Sequence, residues 1–355
     1  MSVVPNIDDN IEPKNIKNSV IVREFRRLIK QIKYHLDHSA TRNESMGNYY
    51  RLKQLTNSLD IVLKYPREIK NGNQLKDIKG VGKGTISRID EILKTGKLSE
   101  IKLKEEDEKY FKFIDELEQV IGIGRKTAFE LIKKYKITSI EELKKAADKG
   151  VINLTNQIKI GLKYHDVYKQ LIPRSEIDKI NILIRDTVET IDPDLMHVIC
   201  GSYRRLKEVS NDVDILIVHP KIRTMKQLTD HDSYLRILIK RLKDINFLVD
   251  DLTYNEYDSK YMGFCQLTMN EKQYPVRRID MRYVPFESFY TALLYFTGSG
   301  TFNKKMRLIA IELGYKLSEY GLYKKDNKRL LKIKVESEQE IFEKLGMEYL
   351  PPEMR

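Results

Sequence analysis

The sequence predicts a multidomain chain with an all-helical N-terminal half and an α+β C-terminal half. Three observations predict it. Apolar residues recur at three- and four-residue steps from Ser19 to about Tyr168. Short apolar runs of strand length, such as Val213 to Val218, come only after Ile172-Pro173. The 355 residues, at roughly 150 per domain, suit two to three domains.

An apolar fraction of 41% excludes wholesale disorder. Charged residues reach 33%, above the roughly 25% of an ordinary soluble domain. Lys and Arg number 64 against 52 Asp and Glu, a net +12, which points to a polyanionic partner, nucleic acid or an acidic membrane surface. No apolar run approaches the roughly 18 residues of a membrane helix, and MSVVPNIDD lacks the pattern of a signal peptide. Cys200 and Cys265 sit in apolar surroundings and read as buried thiols of a reducing compartment. A soluble, intracellular chain is expected, with nucleus and viral factory or virion not distinguished.

In chain order, residues 1–18 are polar, carry two prolines and read as a flexible tail. From Ser19, Ile21, Val22, Phe25, Leu28, Ile29, Ile32 and Leu36 mark one helix face. Tyr49 to Lys64 reads as a second helix that Pro66 stops. Val198 to Cys200, Val213 to Val218 and Val276 to Val284 read as strands, and Tyr234 to Leu242 as a helix between them. The expected domains are 19–105 and 106–170, both helical, then 171–285 and 286–355, both α+β.

An internal repeat spans the helical half. Leu75-x-x-Ile78-x-Gly80-Val81-Gly82-x-x-Thr85 returns 42 residues later as Leu117-x-x-Val120-x-Gly122-Ile123-Gly124-x-x-Thr127. Glycines at a helix–helix turn permit positive φ and close approach of another group, and the following helix presents backbone N–H groups to an anion. Lys83, Arg125 and Lys126 stand in the first turn of those helices, where acids are ordinarily favoured. Val81 and Ile123 plug into the core. The repeat resembles the helix-hairpin-helix that grips DNA phosphates, which implies phosphate binding at Gly80, Gly82, Lys83, Gly122, Gly124, Arg125 and Lys126. The same resemblance implies Na⁺ or K⁺ held at the turns.

The α+β half carries three carboxylates. Asp212 and Asp214 are two apart on a strand and project from one face. Asp280 stands in Arg277-Arg-Ile-Asp-Met-Arg282, where Arg278 and Arg282 share its side by the same period. Close like charges need a compensating cation, and Mg²⁺ takes carboxylates together with substrate phosphates. Gly201-Ser202 and Arg205 offer N–H, hydroxyl and guanidinium to phosphate oxygens. Three such acids are enough for two metals roughly 3.5–4 Å apart and an in-line phosphoryl displacement.

Gly201-Ser202 with Asp212-x-Asp214 resembles the nucleotidyltransferase signature of a palm built on a mixed sheet. Tyr295-Phe-Thr-Gly-Ser299 with Phe302-Asn-Lys304 and Arg307 narrows the resemblance to the family X DNA polymerases, closest to their beta type. Lys64-Tyr-Pro66 and Ile160-Gly-Leu-Lys-Tyr164 extend it over some nine-tenths of the chain. The resemblance implies template-directed filling of short gaps in base excision repair, with two Mg²⁺ (Mn²⁺ as the alternative) on Asp212, Asp214 and Asp280. Ser202, Arg205 and Asn211 would meet the triphosphate, and Tyr295, Phe296 and Gly298 the sugar. Asn303 and Lys304 would face the incoming pair, Arg307 the template and Arg278 the primer phosphate. The residues from 286 on would form a small α+β nucleotide-selection domain. Gapped or nicked duplex and dNTP are the implied partners, with repair proteins beside them and a monomeric chain.

Three departures stand out. Arg88 occupies the place of the lysine that forms a Schiff base in beta-type lyase domains, and a guanidinium keeps its proton. Strong 5′-phosphate binding is expected, with Lys83, Lys64 and Lys97 as the remaining amines for 5′-deoxyribose phosphate lyase chemistry. Leu206 and Asn211 stand where beta-type enzymes have glycine. Gly300 replaces an acid near the nascent base. A non-catalytic DNA-binding scaffold and a template-independent nucleotidyltransferase are the alternative readings.

Overall fold

The computed structural model describes residues 11–167, 170–230, 233–253, 258–326 and 329–355. They form two compact units, Met1–Asn153 and Leu154–Arg355.

The first unit is helical throughout. Helices α1 (Ser19–Asp37) and α2 (Arg42–Lys64) pack side by side, and α3 (Lys83–Thr95) closes over them. The apolar stripe of α1 is buried as the spacing predicts: Ile21, Phe25, Leu28 and Ile32 meet Leu52, Leu55, Leu59 and Val62 of α2 and Ile89 and Ile92 of α3. Helix α2 begins seven residues before the apolar pattern does. Thr41 caps it by accepting from the Glu44 N–H at 3.2 Å, and Glu44 accepts from the Ala40 N–H at 3.0 Å. The stretch read as a tail falls partly outside the described residues, at 1–10. Its last part is held in place: the Lys14 N–H donates to Leu63 O, and buried Asn18 bridges Ile69 N and Arg67 O.

Each repeat forms a turn followed by a helix. The first leads from a 3₁₀ turn (Gly72–Leu75) into α3, the second from α4 (Glu105–Leu117) into α5 (Arg125–Tyr135), with α6 (Ile140–Asp148) beyond. Gly80 and Gly122 adopt φ of +97° and +91°, a region that disfavours any side chain. Gly82 and Gly124 cap the following helices, and a Cβ at either would meet nothing within 4 Å. That open space keeps the turn accessible to a ligand.

The second unit begins with α7 (Asn156–Lys163). This helix joins the sheet because Lys163 and Tyr164 both bond Asp250, at 2.6 and 2.5 Å, and Tyr164 packs on Phe264. Strands β1 (Ile172–Pro173) and β3 (Val209–Ser210) pair antiparallel. Between them come α8 (Arg174–Ile191), β2 (Met196–Ile199) and α9 (Gly201–Arg204). Then follow β4 (Val213–Val218), α10 (Met225–Asp230), α11 (Tyr234–Asp244), β5 (Leu248–Asp251) and β6 (Lys260–Cys265). A small hairpin, β7 (Thr268–Met269) and β8 (Lys272–Gln273), leads into β9 (Arg277–Tyr283).

The main sheet is mixed, in the order β2-β4-β9-β6-β5, with β4 and β9 parallel and the other pairs antiparallel. Alternation along β4 assigns its faces. Val213, Ile215 and Ile217 pack with α8 and α11, through Ile177, Ile180, Ile184, Leu235, Leu238 and Leu242. Leu216 and Val218 pack with Phe289, Ala292 and Leu293 of α12 (Phe289–Thr297). Asp212 and Asp214 stand at the start of that second face.

The chain closes with α13 (Gly300–Glu312), the antiparallel strands β10 (Tyr315–Ser318), β11 (Gly321–Asp326) and β12 (Arg329–Ile333), and α14 (Glu338–Lys344). Leu294, Phe302, Met306, Leu322, Ile341 and Phe342 make its core. The architecture is the predicted one: a helical half with two hairpin repeats, a mixed-sheet α+β part and a small α+β C-terminal part.

Candidate active site

The carboxylates meet where β4 and β9 run parallel. Asp214 is in direct register with Asp280; Asp212, expected on the strand, lies in the bend just before β4 and lines the same cleft as Asp214. Asp212 and Asp214 line a cleft of about 590 Å³ together with Gly201, Ser202, Arg205 and Asn211. Tyr295, Phe296, Gly298, Asn303, Lys304 and Arg307 line the same cleft, so every residue expected to meet a nucleotide lies in one cavity. Thr297, Gly300 and Leu308 complete the lining.

Burial raises the pKa of Asp214 well above the usual carboxylate range, and the charges of Asp212 and Asp280 push it further. Burial and Asp280 raise Asp212 likewise, while Arg278 and Arg205 pull both back. Two guanidinium groups therefore do not neutralise three clustered acids. Hard oxygen donors, excess negative charge and an adjoining polar cleft fit a divalent cation.

Local packing fixes these groups. Gly201 has φ +57°, and a Cβ there would strike the Asp214 carboxylate. Ser202 Oγ donates to Ser210 Oγ at 2.8 Å, and Arg205 Nη1 donates to Thr297 O at 2.5 Å. Gly298, at φ +73°, leaves that guanidinium its space, since a Cβ would lie 3.1 Å from Arg205 Nη1. Asn303 Nδ2 donates to Tyr295 O at 2.7 Å, and Arg307 lies 4.7 Å from the centre of the Tyr295 ring. Arg278 Nε donates to Asp280 Oδ1 at 2.7 Å, which bears out the shared side read from the period of two. Leu206 takes φ +58° although it is not glycine, so the loop keeps a glycine-like bend with a side chain in its place.

One tighter His–carboxylate group exists among the described residues: Asp192, Asp194 and His219, with ligand atoms within 4.8 Å of one another. It lies at the opposite end of β4. His219 Nδ1 accepts the Lys221 N–H at 3.1 Å, so the ring proton sits on Nε2, 3.3 Å from Asp192 Oδ2. Tyr234 OH and Lys221 Nζ hold the two acids at 2.6 Å each. The two acids are thus engaged by Tyr234 and Lys221, while His219 Nε2 is buried without a hydrogen-bond partner.

In the helical unit, Lys83 and Lys126 are exposed at their turns. Arg125 is instead engaged with Asp37. Arg88 bonds Glu100 through Nε and Nη2, and Arg51 Nη2 bonds the same carboxylate at 2.6 Å. Lys64 pairs with Asp60 at 2.7 Å, and Lys97 is exposed. Glu100 and Asp37 escaped the sequence reading because their partners lie far along the chain.

Fold and site define a nucleotidyltransferase-type palm joined to helix-hairpin-helix elements. Four family models match successive stretches: a helix-hairpin-helix domain over residues 17–98, the fingers domain of DNA polymerase lambda over 115–167, the DNA polymerase beta palm over 171–286 and the DNA polymerase beta thumb over 292–355. The chain belongs to the family X DNA polymerases. It is 32% identical to DNA polymerase lambda of Arabidopsis thaliana over 327 residues, 88% of this chain and 59% of that protein. It is 30% identical to DNA polymerase lambda of Rattus norvegicus (87% and 53%) and 29% identical to DNA nucleotidylexotransferase of Gallus gallus (79% and 58%). The chain thus spans between half and three-fifths of the length of these relatives.

Proposed function

We propose that the chain is a template-directed DNA polymerase that fills short gaps during DNA repair, acting as a monomer on gapped duplex. The observation that carries this reading is the register of Asp214 with Asp280, where Asp214 and Asp212 line a cleft shared with Arg205 and with Tyr295 to Gly298.

Asp212 and Asp214 would hold two divalent ions, Mg²⁺ in the first place, with Asp280 on the catalytic one. When bound, such ions supply charge neutralisation at the triphosphate and acidify the attacking hydroxyl. The chain's own residues do the rest. Ser202, Arg205 and Asn211 hold the triphosphate. Tyr295, Phe296 and Gly298 crowd the sugar against a 2′-hydroxyl. Asn303 and Lys304 face the incoming pair, Arg307 the template and Arg278 the primer phosphate. Arg278 donates to Asp280 Oδ1, which leaves Oδ2 as the oxygen that would face both the catalytic ion and the primer 3′-hydroxyl whose proton it would help remove.

The hairpin turns would take backbone phosphates on either side of the gap, with Na⁺ or K⁺ as the auxiliary cation. A 5′-phosphate domain without Schiff-base chemistry at Arg88 completes the reading, because Glu100 keeps that position charged as well as guanidinium-bearing. Both cysteines are buried and free, which supports an intracellular setting.

Template-independent addition is the second reading, favoured by the relative named a nucleotidylexotransferase. The segment between β6 and β9 supports the templated one: its eleven residues, 266–276, hold the short β7-β8 hairpin with a two-residue turn, Asn270-Glu271, and no long loop before Asp280. Insertion of each dNTP is measured on one-nucleotide gaps bearing each templating base, and on an unpaired primer. Insertion matched to the template and absent from the unpaired primer is expected. Equal addition to both substrates would overturn the templated reading.

A further inference from the structure

Helix α1 ends where α5 begins, at one ion pair. Asp37 accepts from Arg125 Nε at 3.0 Å and from Arg125 Nη2 at 2.7 Å, and Tyr110 OH of α4 donates to the same carboxylate at 3.2 Å. The Asp37 side chain is only 10% exposed and that of Arg125 29%. Burial raises the Tyr110 pKa and the Asp37 charge adds to it, so the phenol remains a donor. An aromatic cluster surrounds the pair. His38 stacks on Tyr34 at 4.0 Å and meets Tyr110 and Phe129 edge-on at 5.3 and 4.9 Å.

These groups come from opposite sides of the connector between α3 and α4. Arg125 stands in the first turn after the second glycine turn, where an exposed base would face phosphate, yet its guanidinium is spent on Asp37. A pair enclosed to this degree is little screened by salt; loss of Arg125 strands the Asp37 charge, and Arg125 without Asp37 keeps only Glu118, 3.9 Å away.

We propose that Asp37 and Arg125 form a latch that holds the two hairpin turns at one fixed spacing in the free protein. Arg125 is thus a positioning residue for the second turn. That the turns grip phosphate rests on the function proposed above; the latch does not, since it is made within the protein alone.

The test uses the full chain without DNA. Spin labels are placed at Leu93→Cys on α3 and Glu130→Cys on α5, and their distance distribution is measured, with Asp37→Asn and Arg125→Met as perturbing variants. The wild type is expected to give one narrow distance that persists from low to high salt, and each variant a distribution at least twofold broader at unchanged helical content. A broad wild-type distribution would overturn the proposal whatever the variants do, and so would folded variants as narrow as the wild type. Should both variants lose helical content, the wild-type width at the two salt concentrations decides alone.

Discussion

Asp214 and Asp280 face each other directly across the parallel junction of β4 and β9, and burial together with the Asp212 and Asp280 charges raises the Asp214 pKa well above the ordinary carboxylate range. Three acids packed this closely destabilise the metal-free fold, because each charge raises the cost of the next. Asp214→Asn is therefore expected to raise the unfolding free energy by about 1 kcal/mol in chelator-containing buffer, while lowering nucleotide insertion by about two or more orders of magnitude. Urea denaturation and single-turnover insertion on the same preparation check both halves. A destabilised variant would contradict the electrostatic reading of the site.

The loop that carries Ser202 contains two left-handed residues of opposite character. Gly201 cannot gain a Cβ without striking Asp214, so Gly201→Ala should cost roughly 1–3 kcal/mol and depress insertion with it. Leu206 holds φ +58° with an exposed side chain, which costs roughly 1–2 kcal/mol in a non-glycine residue. Leu206→Gly should recover about 1 kcal/mol without loss of insertion. Thermal unfolding of the two variants should move in opposite directions.

Arg51, Glu100 and Arg88 form a charge-sharing row in the first unit. Borohydride trapping on a 5′-deoxyribose phosphate end should give no adduct at position 88 in the wild type. It should give none in Arg88→Lys either, because Glu100 holds an amine there protonated; adduct is expected only when Arg88→Lys is combined with Glu100→Gln. The same pair predicts an acid response. Burial alone would raise the Glu100 pKa, but the hydrogen bond and charge of Arg88 and the charge of Arg51 bring it below its ordinary 4.5. Its contribution is thus complete above that value and lost as pH falls through the lower, folded one. Glu100→Gln should flatten this part of the acid-side decline in urea stability.

The two basic residues that follow the second glycine turn should differ in their effect on DNA binding. Lys126 is exposed, whereas Arg125 is bound to Asp37. Lys126→Ala should lower the slope of log affinity against log salt by about 0.9, the value for one phosphate contact. Arg125→Met should weaken binding with that slope unchanged. Titration of gapped duplex by fluorescence anisotropy at several salt concentrations separates the two.

Much of this architecture was legible in the sequence because its signals are local. The period of two put Asp212 with Asp214 and Arg278 with Asp280, and the apolar spacing of α1 marked the face that α2 covers. The glycine spacing marked both turns. What stayed hidden depends on pairing across the chain. Asp37 lies 88 positions from Arg125 and Arg51 lies 49 from Glu100, and no periodicity links such partners. The start of α2 was missed for another reason: its first turns carry polar residues, and only the Thr41–Glu44 cap defines them. Leu206 shows that a left-handed bend can persist without the glycine that would announce it.

The most direct test of the central claim measures insertion and binding together, on a one-nucleotide gap with a 5′-phosphate, for the wild type and Asp280→Asn in Mg²⁺. Gap affinity within about twofold for the two proteins is expected, with templated insertion lowered by about 10²–10⁴-fold in the variant. Equal insertion by both would contradict the assignment of Asp280. Tight binding with no insertion by the wild type would make the chain a DNA-binding scaffold.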